Sequence, residues 1–332
     1  MISDKQLIDT FTGNRKIKSS ELVSYIKIFC KQDMEYQFLK RIDSKNKIAT
    51  NLLRILDKRF DDNIKKFKRV VNSLNANNVD FVLVKSNPPF KSFSNDFDLI
   101  IADNKDYLKA INLLEKQNYL IGRRPHKESH CYSGDFMVDV HNLLGWDGFG
   151  FGGGGFKLLD EGKIMRNAVN TNFFGINLKV PKVEDEVLIL MAHSLFQHHY
   201  LSFYEFNYLY KLFEKNKIDV GYIKQESSRF GWWGGAKYLL SLVNSKYKFL
   251  SDKHILSKEF SINYNKLRLV DYNPMTVVLH LYVNKFFSSP SLSNMYNSVT
   301  GFLVNLMRFL RYKYNGYLAF NIDFLSKDGL LQ

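Results

Sequence analysis

The segment DFDLIIAD at residues 96–103 begins by alternating acidic and apolar side chains. Because side chains alternate across a β-strand, Asp96 and Asp98 would lie on one face. Phe97 and Leu99 would lie on the opposite face, toward a core. Two carboxylates on one face repel each other, and each raises the pKa of the other unless a cation lies close by. Such a strand therefore needs an apolar layer on one side. On the other side, either the acids hold a positive charge, or they are solvated on the wet face of an ordinary edge strand.

The chain before this strand has the periodicity of helices. Between about Ser44 and Leu74, apolar residues recur at helical spacing among Lys, Arg and Asp, and the pattern ends at the polar cluster NANN. Residues 1–75 are therefore predicted to form an N-terminal helical segment.

The middle of the chain alternates strand-like and helix-like patterns. The predicted order is strand, strand, helix, strand, strand, from the segments 79–86, 96–103, 106–119 and the two arms of a hairpin within 128–144. This order predicts an α+β fold in which residues 76–182 form a core with a small mixed β-sheet. Helix-like patterns return after Pro181, so residues 183–332 are predicted to form a C-terminal helical domain.

Two later segments admit more than one interpretation. The glycine-rich segment 145–156 lacks the GxxxxGK[ST] pattern, so it predicts a flexible loop or lid rather than a phosphate-binding loop. The apolar segment 300–320 carries clustered basic residues. It predicts a packed C-terminal helix whose basic side chains reach solvent, and a helix that lies on a membrane or faces a nucleic acid is the alternative.

The charge balance narrows the class of partner. The 332-residue chain has a formal net charge of +14, which favours an anionic partner such as nucleic acid, a nucleotide or a membrane surface over a merely solvated lysine-rich surface.

Cys30 and Cys131 form no CxxC pair, which favours a reducing cytoplasm. The start lacks the pattern of a signal peptide, and no run of about 18 apolar residues predicts a transmembrane helix. We therefore expect a cytoplasmic protein.

A third acid lies on a later predicted strand. In FMVDVH, Asp139 alternates with Val138 and Val140. His141 shares the face of Asp139, either as a site residue or as a structural hydrogen-bond partner, and Asp135 on the same face is the alternative acid. Three carboxylates on adjacent strands can hold two Mg²⁺ ions about 4 Å apart, an arrangement that activates an attacking oxygen and stabilises a leaving phosphate.

In this order the motifs resemble the nucleotidyltransferase superfamily related to DNA polymerase β, whose signature is hG[GS], a gap of nine to thirteen residues, and Dh[DE]h. Here Lys85-Ser86 is followed by nine residues and then by DFDL. Over residues 45–245 the chain looks closest to a poorly characterised bacterial and archaeal family with a Lys-Gly turn, and it carries VLVKS, DFDLII, VDVH and VPKVEDEVLILMAHSLFQHH in that order. Ser86 stands where that family has glycine, which restricts the backbone conformation of the turn.

The resemblance implies an enzyme that moves an NMP from an NTP such as ATP to an acceptor hydroxyl and releases pyrophosphate. It implies that Asp96, Asp98 and Asp139 are catalytic metal ligands for Mg²⁺, or for Mn²⁺ in its place. Lys85 and Ser86 would contact the β- and γ-phosphates.

The acceptor is left open by the motifs. The basic charge favours RNA, including a tRNA end, or a protein hydroxyl, and a small molecule is the remaining class. A different class of function is a catalytically degenerate module on the same fold. Such a module would bind nucleic acid, a partner protein or an anionic membrane, and its altered Lys85-Ser86 turn would have lost the use of NTP.

Overall fold

The computed structural model has an α+β fold, as the sequence predicts. It describes residues 17, 19–30, 34–42, 46–90, 92, 96–124, 128–146, 156–195, 201–251 and 254–260.

The helices that precede the sheet are α1 (Ser19–Cys30), α2 (Glu35–Leu39) and α3 (Lys47–Ala76). The side chain of Asn46 caps α3 by accepting hydrogen bonds from the N–H groups of Ile48 and Ala49. Asn78, with φ of 52°, turns the chain away after α3, in the left-handed conformation that asparagine tolerates better than most residues. The helix predicted from about Ser44 to Leu74 is confirmed by α3, whereas residues 1–16 lie outside the described part of the chain.

The strands of the main sheet are β1 (Val82–Val84), β2 (Asp96–Ile100), β3 (Leu120–Arg124), β4 (Glu128–Ser133) and β5 (Phe136–His141). Their spatial order is β1–β2–β5–β4–β3; β2 pairs with β5 in parallel, and the other pairs in this sheet are antiparallel. Helix α4 (Asn104–Lys116) follows β2 and packs on β3, β4 and β5. The predicted small mixed sheet is confirmed, and so is the hairpin of β4 and β5, which turns at Gly134 with φ of 63°.

The predicted strand order lacks β3. This strand has the sequence LIGRR, which does not alternate apolar and polar residues, and it pairs at the edge of the sheet with β4. Leu120 at its start is 77% exposed. Because this apolar side chain is not buried, the strand lacks the alternation of buried apolar and exposed polar residues by which a strand is predicted from sequence.

The two faces of β2 contact different parts of the core. Phe97 and Leu99 pack with α3 and α4, and the ring of Phe97 stacks on Phe67 with centroids 4.2 Å apart. Ile100 belongs to a second cluster that is formed largely by the helices after the sheet. Asp98 lies on the same face as Ile100 by alternation, so the acids of β2 point toward the C-terminal helices.

The elements between the sheet and those helices are β6 (Gly145–Trp146), β7 (Phe156–Lys157), α5 (Glu161–Asn167), β8 (Val169–Phe173) and β9 (Ile176–Val180). β6 pairs with β7, and β8 pairs with β9, both antiparallel. Most of the glycine-rich segment, residues 147–155, lies outside the described residues, so the loop or lid stays a prediction.

The helices that follow are α6 (Val183–His193), α7 (Phe203–Lys215), α8 (Val220–Arg229), α9 (Trp233–Ser251) and a 3₁₀ turn (Lys258–Phe260). The helices predicted after Pro181 are confirmed as far as residue 260, and Gly231, with φ of 75°, separates α8 from α9. The predicted helix at 300–320 lies outside the described residues, and the domain boundaries at residues 75/76 and 182/183 stay predictions. None of the described helices combines the length and apolar character needed to span a bilayer.

Phe67→Ala should test the packing of α3 on the sheet. Phe67 is fully buried against Phe97, so we expect the free energy of unfolding in urea to fall by about 3–5 kcal/mol. Leu120→Ala is the matched control, because Leu120 is 77% exposed, and it should change stability by no more than about 0.5 kcal/mol. Equal losses in the two variants would contradict this packing.

Candidate active site

Parallel pairing of β2 and β5 places acidic residues side by side. In the register, Asp98 is aligned with Asp139, and Ile100 is aligned with His141. Aligned residues of neighbouring strands point to the same face, so Asp98, Asp139 and His141 share one face of the sheet. Asp98 and Asp139 are each 7% exposed, whereas Asp96 at the start of β2 is half-buried. The three predicted acids therefore line one face, with two of them buried.

Asp98 is held by two neighbouring side chains. Its Oδ1 lies 2.7 Å from Lys85 Nζ and 3.0 Å from His141 Nε2. Burial alone would raise the pKa of Asp98, but the charge of Lys85 and the hydrogen bond from His141 outweigh burial and hold the pKa well below its usual range. Asp98 is thus an anion at neutral pH, balanced by the lysine at its side.

Asp139 has less compensation for its charge. Its Oδ1 is hydrogen-bonded to His130 Nδ1 on the adjacent strand β4. Burial and the charge of Asp98 raise the pKa of Asp139 to about 6, and the hydrogen bond to His130 offsets part of that increase. The repulsion between the two buried carboxylates is the kind that a bound cation relieves.

The turn after β1 brings Lys85 to Asp98. Lys85 has φ of 55°, a left-handed conformation that is uncommon for residues other than glycine. Its N–H donates to Glu186 Oε1 at 3.0 Å, and the Tyr208 hydroxyl donates to the same oxygen at 2.8 Å. The Tyr204 hydroxyl donates to the Lys85 carbonyl at 3.5 Å. Side chains of α6 and α7 therefore hold the turn in this conformation.

Ser86 makes a direct contact with β2. The N–H of Asp98 donates to Ser86 Oγ at 3.2 Å. Ser86 itself is not among the residues with positive φ, since the left-handed position of this turn falls on Lys85. The replacement of glycine by serine therefore introduces no φ strain, and the restriction expected from the sequence does not arise at this residue.

Three residues of the site escape the sequence-based prediction. Glu128 and His130 lie on β4, where the register aligns them with His141 and Asp139 respectively. The spacing E-x-H was the available signal, but its meaning depends on how β4 pairs with β5. Glu186 belongs to a run of acids that the helix dipole explains equally well at the start of α6.

Asp135, the alternative acid, lies away from the site. Its side chain is 82% exposed, and its Oδ2 lies 3.6 Å from Arg59 Nη2. The hairpin turn at Gly134 carries it out of the face that β5 presents. The structure therefore groups Asp139, and not Asp135, with Asp98.

The side chains present fit a divalent cation. Asp98, Asp139 and His141 offer one donor atom each, and these atoms all lie within 4.8 Å of one another. Buried carboxylate oxygens are ligands that Mg²⁺ and Mn²⁺ accept in proteins. This acidic cluster could therefore bind a metal ion.

Comparison with known proteins agrees with this geometry. Residues 39–247, more than half of the chain, match the model of a family described as uncharacterised nucleotidyltransferase. The chain belongs to this family. The resemblance predicted over residues 45–245 is thereby confirmed, and membership makes the protein a transferase for which an NTP is the implied substrate. Neither the curated proteins nor the solved structures contain a match to the chain.

Glu186→Gln in this nucleotidyltransferase should change the pH dependence of stability. Burial raises the pKa of Glu186 to about 7, above its usual 4.5, so the folded protein binds this proton more tightly than the unfolded chain does. The wild-type free energy of unfolding therefore includes a contribution that is fully present below pH 4.5 and is lost as the pH rises to about 7. The variant lacks this contribution, so its stability relative to wild type should rise by up to about 3 kcal/mol across that window, measured by urea unfolding.

The readout is the slope of the free energy of unfolding against pH. Any other effect of the glutamine on stability should be the same at every pH and therefore should not change this slope. Glu115→Gln, on the exposed face of α4, is the matched control and should retain the wild-type slope. Parallel pH profiles for wild type and Glu186→Gln would show that the burial of Glu186 does not act in this way.

Proposed function

We propose that the protein is a metal-dependent nucleotidyltransferase that moves an NMP from an NTP to an acceptor hydroxyl and releases pyrophosphate. The observation that carries this proposal is the alignment of Asp98 with Asp139 on adjacent strands, next to Lys85. Buried carboxylates beside a lysine suit a triphosphate with its divalent cation, since the carboxylates balance the cation and the lysine balances the phosphates.

The carboxylates would divide between two cation positions. Asp96 and Asp98 would hold the Mg²⁺ or Mn²⁺ that accompanies the triphosphate, and Asp139 would complete a second position. When bound, such a cation supplies Lewis-acid stabilisation of the charge that develops on the phosphoryl oxygens.

Asp139 would also accept the proton of the acceptor hydroxyl. Burial raises its pKa to about 6, which is closer to the pH at which a general base works well. As the acceptor oxygen bonds to the α-phosphorus, the bond from that phosphorus to the bridging oxygen breaks and pyrophosphate leaves. The hydroxyl proton passes to the Asp139 carboxylate, and His130 keeps that carboxylate oriented through its hydrogen bond.

Lys85 and Ser86 would bind the β- and γ-phosphates. Lys85 Nζ contacts Asp98 in the free protein, so a triphosphate would take over part of that contact. Ser86 Oγ already accepts a hydrogen bond from the backbone N–H of Asp98. The hydroxyl proton of Ser86 is therefore left to donate to a phosphate oxygen.

RNA, including a tRNA end, or a protein hydroxyl is the acceptor class that the charge favours over a small molecule. The net charge of +14 supports an anionic acceptor. We propose a cytoplasmic location, which the lack of a CxxC pair or disulfide framework in Cys30 and Cys131 favours.

The test is to incubate the protein with labelled NTPs, Mg²⁺ and candidate acceptors. Asp96→Ala/Asp98→Ala should lower incorporation of label at least about a hundredfold, because the variant loses two of the proposed cation ligands. Asp135→Ala is the matched control, since it removes an exposed acid from the neighbouring hairpin, and it should keep wild-type incorporation.

Equal incorporation by wild type and the double variant would contradict the proposal. A protein that binds no NTP in calorimetry with Mg²⁺, but binds RNA or anionic lipid in a salt-dependent way, would instead be the degenerate module.

Ser86→Gly tests whether serine impairs the turn. Because Ser86 needs no positive φ and contributes a hydroxyl, we expect NTP affinity in calorimetry to fall about 3–10-fold when the hydroxyl is lost. Ser86→Thr keeps the hydroxyl and should bind NTP about as well as wild type. A tighter NTP complex in the glycine variant would mean that serine obstructs the phosphates.

A further inference from the structure

Two histidines connect the central carboxylates to Glu128. His130 binds Asp139 through Nδ1, and His141 binds Asp98 through Nε2. The other ring nitrogen of each histidine faces one atom: His130 Nε2 and His141 Nδ1 each lie 3.8 Å from Glu128 Oε1. This separation is too long for a hydrogen bond.

His130 Nε2 is a buried polar atom without a hydrogen-bond partner among the described residues. The residue is 8% exposed, so water has little access to the ring. An unpartnered polar group in such a place is destabilising. Within the described part of the chain no side chain satisfies this nitrogen, so a bound ligand is a candidate partner for it.

A cation between His130 Nε2 and Glu128 Oε1 would give His130 Nε2 a partner and meet the negative charge of the Glu128 carboxylate. Two ligand atoms on one ion at about 2.1 Å lie roughly 3.0–3.4 Å apart in octahedral or tetrahedral geometry. The observed 3.8 Å therefore closes with shifts of a few tenths of an ångström in each side chain. Donor atoms of Glu128, His130 and Asp139 already lie within 4.8 Å of one another.

The contact between His130 and Asp139 also has the form that metal-binding histidines show. Such histidines commonly bind a carboxylate through the ring nitrogen that does not bind the metal, which fixes the ring and its tautomer. Asp139 plays this part for His130. The Glu128 side chain is 21% exposed, so an ion can reach the position from solvent.

We propose a divalent transition-metal site, with Glu128 and His130 as ligands, Asp139 as the residue that orients His130, and His141 Nδ1 as a further donor. The imidazole nitrogen selects ions such as Zn²⁺ or Mn²⁺ over Mg²⁺, which prefers oxygen ligands throughout. The site shares Asp139 with the proposed nucleotidyltransferase centre, but its ligands Glu128 and His130 are distinct from Asp96 and from the Lys85 turn.

The experiment is calorimetry of the full chain, without nucleotide, against Zn²⁺, Mn²⁺ and Mg²⁺ in separate titrations. Wild type should bind one equivalent of Zn²⁺ that His130→Gln and Glu128→Gln bind at least about tenfold more weakly. Mg²⁺ should bind at this position at least about tenfold more weakly than Zn²⁺ does. Far-ultraviolet circular dichroism without metal checks that both variants are folded.

Asp96→Ala separates this inference from the proposed function. It should weaken the binding of NTP with Mg²⁺ and leave the Zn²⁺ equivalent unchanged. His254→Gln, at a histidine remote in sequence from the site, is the matched control and should keep wild-type binding of Zn²⁺.

Two outcomes would overturn the site. The first is equal Zn²⁺ affinity and stoichiometry in wild type, His130→Gln and Glu128→Gln. The second needs no variant: X-ray absorption of wild type loaded with one equivalent of Zn²⁺ should show imidazole scattering, and an oxygen-only shell would refute the proposal.

Discussion

The parallel pairing of β2 with β5 is the constraint on which the site depends. It aligns Asp98 with Asp139, while the alternate residues Phe97 and Leu99 pack into the core behind the sheet. A slip of one residue in this register would turn every side chain of β2 to the other face, which would bury acids in the core and expose phenylalanine. The packing that stabilises the fold and the geometry that gathers the carboxylates are therefore set by the same register.

The negative charges of the buried Asp98 and Asp139 carboxylates must be balanced by groups from other parts of the chain. Lys85 supplies a charge to Asp98, and the left-handed conformation of Lys85 is maintained by Glu186 from α6. The C-terminal helices thus act on the site through the backbone N–H and carbonyl of Lys85. Asp139 remains the less compensated of the two carboxylates, as its raised pKa of about 6 indicates.

The sequence predicted the parts of the molecule that depend on local pattern. Alternation in DFDLII placed Asp96 and Asp98 on one face, and helical periodicity predicted α3 almost to its ends. Glu128 and His130 were not assigned, because their proximity to His141 and Asp139 follows only once the two-residue turn of the β4–β5 hairpin is placed at Gly134 and Asp135, which fixes the register. The same limit applies to Lys85, since nothing in a lysine indicates a positive φ.

The central claim is that the Lys85-Ser86 turn and the β2 acids together receive a triphosphate with its cation. A crystal structure of the protein with a non-hydrolysable NTP and Mg²⁺ tests it most directly. The account predicts phosphate oxygens at Lys85 Nζ and Ser86 Oγ, with Mg²⁺ on Asp96 and Asp98. A nucleotide bound elsewhere, or an intact contact between Lys85 and Asp98 at saturating NTP, would contradict it.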